Sequence, residues 1–217
     1  MGPLPSWNDV GTRSALAQAP QNNTQPGSSE TILVTANKRT ENIQSVPVSV
    51  TAIGEGLIDQ LQAGNLNDLS AYVPGLNVQP SGTDANRLII RGLSTGPNDF
   101  SPTVGIYIDE VPFGSNSGYA LGAFFGPDVD PFDLDHIEVL RGPQGTLYGA
   151  STLAGLVKYV TKAPDSDQFD GHIRIDFGDD DQTGALNEAI RAGLNISILR
   201  DQVALRVSGS NPMARAI

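Results

Sequence analysis

From residue 172 onward, apolar and polar side chains alternate over three successive stretches. Ile173, Ile175 and Phe177 alternate with His172, Arg174 and Asp176. Ile190, Ala192, Leu194, Ile196 and Ile198 alternate with Ala189, Arg191, Gly193, Asn195 and Ser197. Val203, Leu205 and Val207 alternate with Ala204, Arg206 and Ser208. A period of two puts every second side chain on the same face of an extended chain, so the pattern demands strands and excludes an amphipathic helix. The polar stretches Gly178 to Gly184 and Arg200-Asp201-Gln202 read as the turns between them.

Alternating segments of roughly 8 to 15 residues joined by polar turns are the pattern of a transmembrane β-barrel. A barrel needs at least about 8 strands to close, and an open sheet leaves backbone groups unpaired in lipid. Three such strands are therefore expected to be an incomplete barrel, unable to span a membrane alone. Elsewhere no run approaches the roughly 20 apolar residues of a membrane helix. The net charge of −11, with only 13 Lys and Arg, argues against a nucleic-acid partner. Zero cysteines exclude disulfides and thiolate metal sites.

Upstream, Ile137-Glu138-Val139-Leu140 is a β-prone run that stops in a turn rich in glycine, Arg141-Gly142-Pro143-Gln144-Gly145-Thr146-Leu147-Tyr148-Gly149-Ala150. Leu88-Ile89-Ile90-Arg91-Gly92 repeats the design. An isolated Arg-Gly of this kind is ordinarily a solvated turn. Two of them, together with Gly105-Ile106-Tyr107-Ile108-Asp109-Glu110-Val111-Pro112 and Tyr72-Val73-Pro74-Gly75-Leu76, resemble the plug domain of TonB-dependent outer-membrane receptors in order, spacing and wording. The resemblance covers roughly Glu30 to Pro164. Gly155-Leu156-Val157-Lys158-Tyr159 departs from the Gly-Ala-Ile-Asn wording common in the family at that point.

The fold class expected is α+β: a plug with a small mixed β-sheet and short helices, followed by the first few antiparallel strands of an incomplete transmembrane β-barrel. Residues 1–29, rich in Pro, Gly, Ser, Asn and Gln, read as disordered. Within them Ser14-Ala15-Leu16-Ala17-Gln18-Ala19 reads either as the end of a signal peptide or as a chance Ala-rich patch, with no basic or apolar region before it. Residues 30–45 hold a short β-prone segment and a polar linker, 46–164 the plug, and 165–217 the first barrel strands, apparently truncated. Within the plug, a strand is expected over Val46 to Ile53 at a sheet edge, because of Pro47. Leu57, Ile58 and Leu61 mark one helix, and Leu66, Leu69 and Val73 a second closed by Pro74-Gly75. Further strands are expected at Asn77 to Gln79, Arg87 to Arg91, Val104 to Val111, Ile137 to Leu140 and Leu156 to Thr161.

The resemblance implies roles as well. Thr31, Ile32, Leu33, Val34, Thr35 and Ala36 occupy the place of the TonB box, the strand that docks on the periplasmic domain of TonB. Arg91 and Arg141 match the two plug arginines that pair with barrel carboxylates. The family's plug fills a barrel of about 22 strands, binds a scarce ligand such as a ferric siderophore, and is opened through TonB. The chain is thus expected in the outer membrane, without cofactor, metal site or catalytic residue. A stand-alone plug-like binding protein is the alternative. An enzyme reading also exists: Gly92-Leu93-Ser94-Thr95-Gly96 matches a nucleophile elbow, with Asp109 and His136 following in hydrolase order. Pro97 and Pro102 oppose the helix that an elbow needs. Asp128, Asp130, Asp133 and Asp135 read as a solvated loop starting a short helix sooner than as a Ca²⁺ site.

Overall fold

The computed structural model describes residues 33–82, 85–96, 99–124, 126–180 and 185–215. Thr31, Ile32 and the Ala-rich patch at 14–19 lie outside them. The strands are β1 (Leu33–Val34), β2 (Glu41–Asn42), β3 (Ser49–Gly54), β4 (Leu76–Gly82), β5 (Ala85–Ile90), β6 (Val104–Ile108), β7 (Val111–Pro112), β8 (Gly126–Pro127), β9 (Leu134–Arg141), β10 (Gly155–Thr161), β11 (Asp170–Asp180), β12 (Ala185–Leu199) and β13 (Val203–Arg215). Among the described residues three short helices join them: α1 (Glu55–Leu61), α2 (Leu66–Ser70) and α3 (Gly145–Tyr148). None of the described helices is long and apolar enough to cross a membrane.

A five-stranded mixed sheet in the order β3-β9-β10-β6-β7 organises the plug. Only β10 and β6 run parallel; the other neighbours are antiparallel. β3 lies at the edge, as expected, but it begins at Ser49, so Pro47 precedes the strand and does not stand in its ladder. One face of this sheet carries Ile137, Val139, Val157 and Tyr159 and packs on α1 and α2 through Ile58, Leu66 and Leu69. Asn65 caps α2 in a reciprocal capping box with Asp68. The opposite face carries Leu140, Leu156 and Tyr107 and packs on Val34, Ala36, Val46 and Tyr148. With both faces covered, β9 is buried at every residue from His136 to Leu140.

Several expected boundaries move. The strand expected over Val104 to Val111 is a hairpin, because Asp109 takes a left-handed φ of 52° and turns the chain between β6 and β7. The second helix ends at Ser70, short of Pro74. The stretch 37–45 is more than a linker: it holds β2 and a 3-10 turn at Ile43–Ser45, whose N-cap Asn42 accepts from the Gln44 N–H. The loop containing Asp128 to Asp133 starts no helix; it leads directly into β9.

The strands β11, β12 and β13 form an antiparallel meander in a sheet of their own. Ile173, Ile175, Phe177, Leu194, Leu205 and Val207 on it are exposed, whereas Arg191 and Asn195 are buried toward the plug.

Candidate functional site

The segment 33–36 is seated on the plug. β1 pairs with β2, and Val34 and Ala36 are fully buried. Between them Thr35 meets a cluster of charges. Its N–H and hydroxyl donate to Glu138 Oε1, at 2.5 and 3.0 Å, and the hydroxyl accepts from Lys158 Nζ at 2.7 Å. The Tyr148 hydroxyl donates to the Ala36 carbonyl at 3.0 Å and lies 3.3 Å from that of Thr35. Burial pushes this phenol up, so it remains a donor. Lys38 closes the turn, its N–H donating to the Thr35 carbonyl at 2.9 Å.

Glu138 and Lys158 lie inside a covered sheet, at 0% and 1% exposure. Burial raises the carboxyl of Glu138, but hydrogen bonds from His136 and Thr35 outweigh it and hold the group below its ordinary value. His136 lies between Glu138 (Nε2 to Oε1, 2.9 Å) and Asp135 (Nδ1 to Oδ2, 2.5 Å). Burial opposes its charge, yet the two carboxylates raise the imidazole above its ordinary value. Lys158 is paired with Glu110, whose other oxygen lies 4.0 Å from Lys38.

A second set of charges joins the plug to the meander. Arg206 of β13 clasps Asp133, its Nε 3.0 Å from Oδ2 and its Nη2 on Oδ1. Arg191 of β12 bonds Asp130 through Nε at 2.7 Å and also pairs with Asp176. Arg174 of β11 pairs with Asp59 and stacks over the ring of Phe132. His172 packs on Phe132 and lies 3.5 Å from Asp133. A Cβ at Gly193, its register partner, would stand 2.7 Å from the His172 ring, so the glycine makes room for the imidazole.

The hydrolase constellation is not assembled. No helix follows β5, Asp109 accepts from the N–H and hydroxyl of Thr161 at 2.9 Å each, and His136 is held by Asp135 and Glu138.

Comparison with known proteins adds the family. The TonB-dependent Receptor Plug Domain profile matches residues 42–156. The chain belongs to the TonB-dependent receptor plug family. The pesticin receptor of Yersinia pestis is 34% identical over 139 residues, covering 63% of this chain and 19% of its own. The ferripyoverdine receptor of Pseudomonas aeruginosa is 29% identical over 147 residues, covering 67% and 17%. In fold, the siderophore receptor PirA from Pseudomonas aeruginosa superposes with a TM-score of 0.58 at 24% identity, over 79% of this chain and 29% of that one. The chain thus spans about a fifth of the length of the curated relatives it matches. Family membership places it at the outer membrane.

In this plug Arg91 and Arg141 both reach the Pro74-Gly75 turn, Arg91 through its N–H on the Gly75 carbonyl at 2.8 Å. Arg91 and Gly92, with φ of 54° and 72°, form the centre of a two-residue turn closed by the Leu93 N–H on the Ile90 carbonyl. Arg91 Nη1 comes within 3.8 Å of where a side chain at Gly142 would begin. Arg141 Nη1 donates to the Pro74 carbonyl at 3.1 Å, while its Nε is buried and without a hydrogen-bond partner among the described residues. Neither guanidinium meets a carboxylate among the described residues. The plug's ion pairs to the meander come instead from Asp59, Asp130 and Asp133, with the arginines on the strands. The sequence places Asp130 and Asp133 in a solvated loop and assigns nothing to Asp59. Their signal was the placement of Arg174, Arg191 and Arg206 on the polar face of the alternating strands.

Proposed function

We propose that this chain is the gating part of an outer-membrane receptor for active uptake of a scarce ligand such as a ferric siderophore, with residues 31–36 as the strand given to the TonB periplasmic domain. The observation that carries the reading is the plug family match over residues 42–156, with the segment 33–36 just ahead of it. The names of the relatives support the ligand class: one is a ferripyoverdine receptor. Arg91 and Arg141 are the plug's contacts to barrel carboxylates; the buried Nε of Arg141, without a partner among the described residues, is a donor that an anionic neighbour would satisfy.

β-Augmentation draws its affinity from main-chain hydrogen bonds, so backbone competence governs it. A peptide spanning Glu30 to Asn37 is expected to bind the TonB periplasmic domain in a calorimetric titration. Val34→Pro should abolish binding because proline cannot donate to the ladder, and Val34→Ile should leave it nearly unchanged. A wild-type peptide that fails to bind at millimolar concentration would remove the docking role from this segment. For the arginines, charge reversal at Arg91 or Arg141 in a receptor carrying this plug should make the channel leaky to antibiotics; unchanged permeability would make them ordinary surface residues.

A further inference from the structure

Glu138 and Lys158 are direct partners in the register of β9 and β10 and share a face of the sheet. Such partners have Cβ atoms roughly 4.5–5.5 Å apart, near enough for opposite charges to meet. They form no ion pair with each other. Both reach instead for the hydroxyl of Thr35, which donates to one and accepts from the other. Lys158 completes its shell with Glu110, a side chain half exposed to water. Glu138 does not complete its own: Oε1 takes every bond, and Oε2 is buried with no partner among the described residues.

Much of the docked segment's main chain is engaged. The Thr35 N–H is used by Glu138, the carbonyls of Thr35 and Ala36 by Lys38 and Tyr148, and Leu33 and Val34 are paired to β2. A partner strand competes for these groups, so adding one there displaces the segment from its seat. Departure by itself strips a buried carboxylate of two donors and a buried ammonium of one acceptor, which is steeply unfavourable unless new partners are at hand. Each faces the other as its register partner across β9 and β10.

We propose that Thr35 holds apart two buried charges that pair directly when residues 33–36 leave, so that release of the segment is an exchange of partners built into the central sheet. It rests on the reading of this segment as the strand given up to a partner. With the exchange, Glu138 gains a donor for its idle oxygen, and the vacated sheet face retains no stranded charge. Lys158, at the position where the sequence departs from the family's wording, is what makes the exchange available to this chain.

The chain has no cysteine, so Val34→Cys places a single thiol at a fully buried position in the full 217-residue protein. Its rate of labelling by a maleimide reports release without any partner present. In this background Thr35→Val, which keeps the shape and removes the hydroxyl, should raise the rate about tenfold or more, the equivalent of one charged hydrogen bond. Thr35→Ser should stay within about twofold. Equal rates for the Val and Ser variants would overturn the role of the hydroxyl. Thr35→Pro removes the N–H donor as well and should release the segment fully. A crystal structure of that variant should find the Glu138 carboxylate on Lys158 Nζ; Lys158 still on Glu110 with Glu138 turned to water would overturn the exchange. Since none of these measurements uses TonB, a segment that undocks in this way and yet does not bind TonB would sink only the docking-strand reading.

Discussion

The two principal sheets of the molecule treat the same secondary structure in opposite ways. In the plug's sheet both faces are covered, and β9 and β10 are buried almost from end to end, with a glutamate and a lysine inside. In the meander, burial alternates and its polarity is inverted: Ile173 and Phe177 are 74% and 78% exposed while Arg191 and Asn195 are covered. What a strand's side chains do is thus set by what lies over each face. Carboxylates of the plug meet the polar face of the meander, and its apolar face is left exposed.

The sharpest way to break this contrast is to cut the same side chain in both sheets. Ile137→Ala in the plug should cost about 2–5 kcal/mol by opening a cavity, whereas Ile175→Ala on the exposed face should stay within about 0.5 kcal/mol in water. Urea titrations of the two variants check this, and equal losses would mean that the faces are not differently covered. Next in size is the seam. Asp133, with a side chain 1% exposed and bonded twice to Arg206, should cost about 1.5–3 kcal/mol when replaced by Asn. Asp59→Asn, at a carboxylate 49% exposed, should cost less than about 1 kcal/mol. Amide exchange along β13 should accelerate in the first variant alone.

Titration separates the regions further. The His136 imidazole is raised, so its contribution is complete below its ordinary value of about 6.5 and lost as pH rises through the folded value. Glu138 is lowered, so its contribution is present above the ordinary value of about 4.3 and lost as pH falls through the folded value. Stability of the plug should therefore decline as pH rises above about 6.5 and decline again in acid. His136→Gln should flatten the alkaline arm in urea titrations taken from pH 5 to 9; an unchanged arm would place the titrating group elsewhere. The smallest effect expected is at Gly193→Ala, which presses on the His172 ring. Its cost should fall below about 1 kcal/mol and be non-additive with His172→Ala. Simple additivity would show that the ring does not lean on the glycine.

Much of this was legible in the sequence because it rests on local pattern. The alternation from His172 to Ser208 fixes strands whatever surrounds them, and the spacing of Leu57, Ile58, Leu66 and Leu69 places α1 and α2. The Asp109 turn escaped notice because a non-glycine residue in a left-handed conformation leaves no mark in composition. The charged pair in the central sheet was visible only as an oddity, a Glu and a Lys in otherwise apolar runs. That they face one another follows from register, and that they meet Thr35 follows from a fold that joins residues over a hundred positions apart. The same distance hid the seam: Asp133 and Arg206 are separated by 73 residues.

That separation also sets an order of events. Every side chain that grips Thr35 comes late: Glu138 follows it by 103 residues and Lys158 by 123. The middle of the sheet is equally non-local, since β3 and β6 must wait for β9 and β10. Chains dominated by such pairings fold slowly, because loop closure precedes any return from contacts. The segment 33–36 can therefore be fastened only after β10 has taken its place, so its seat exists only in a chain that has already joined residues over a hundred positions apart.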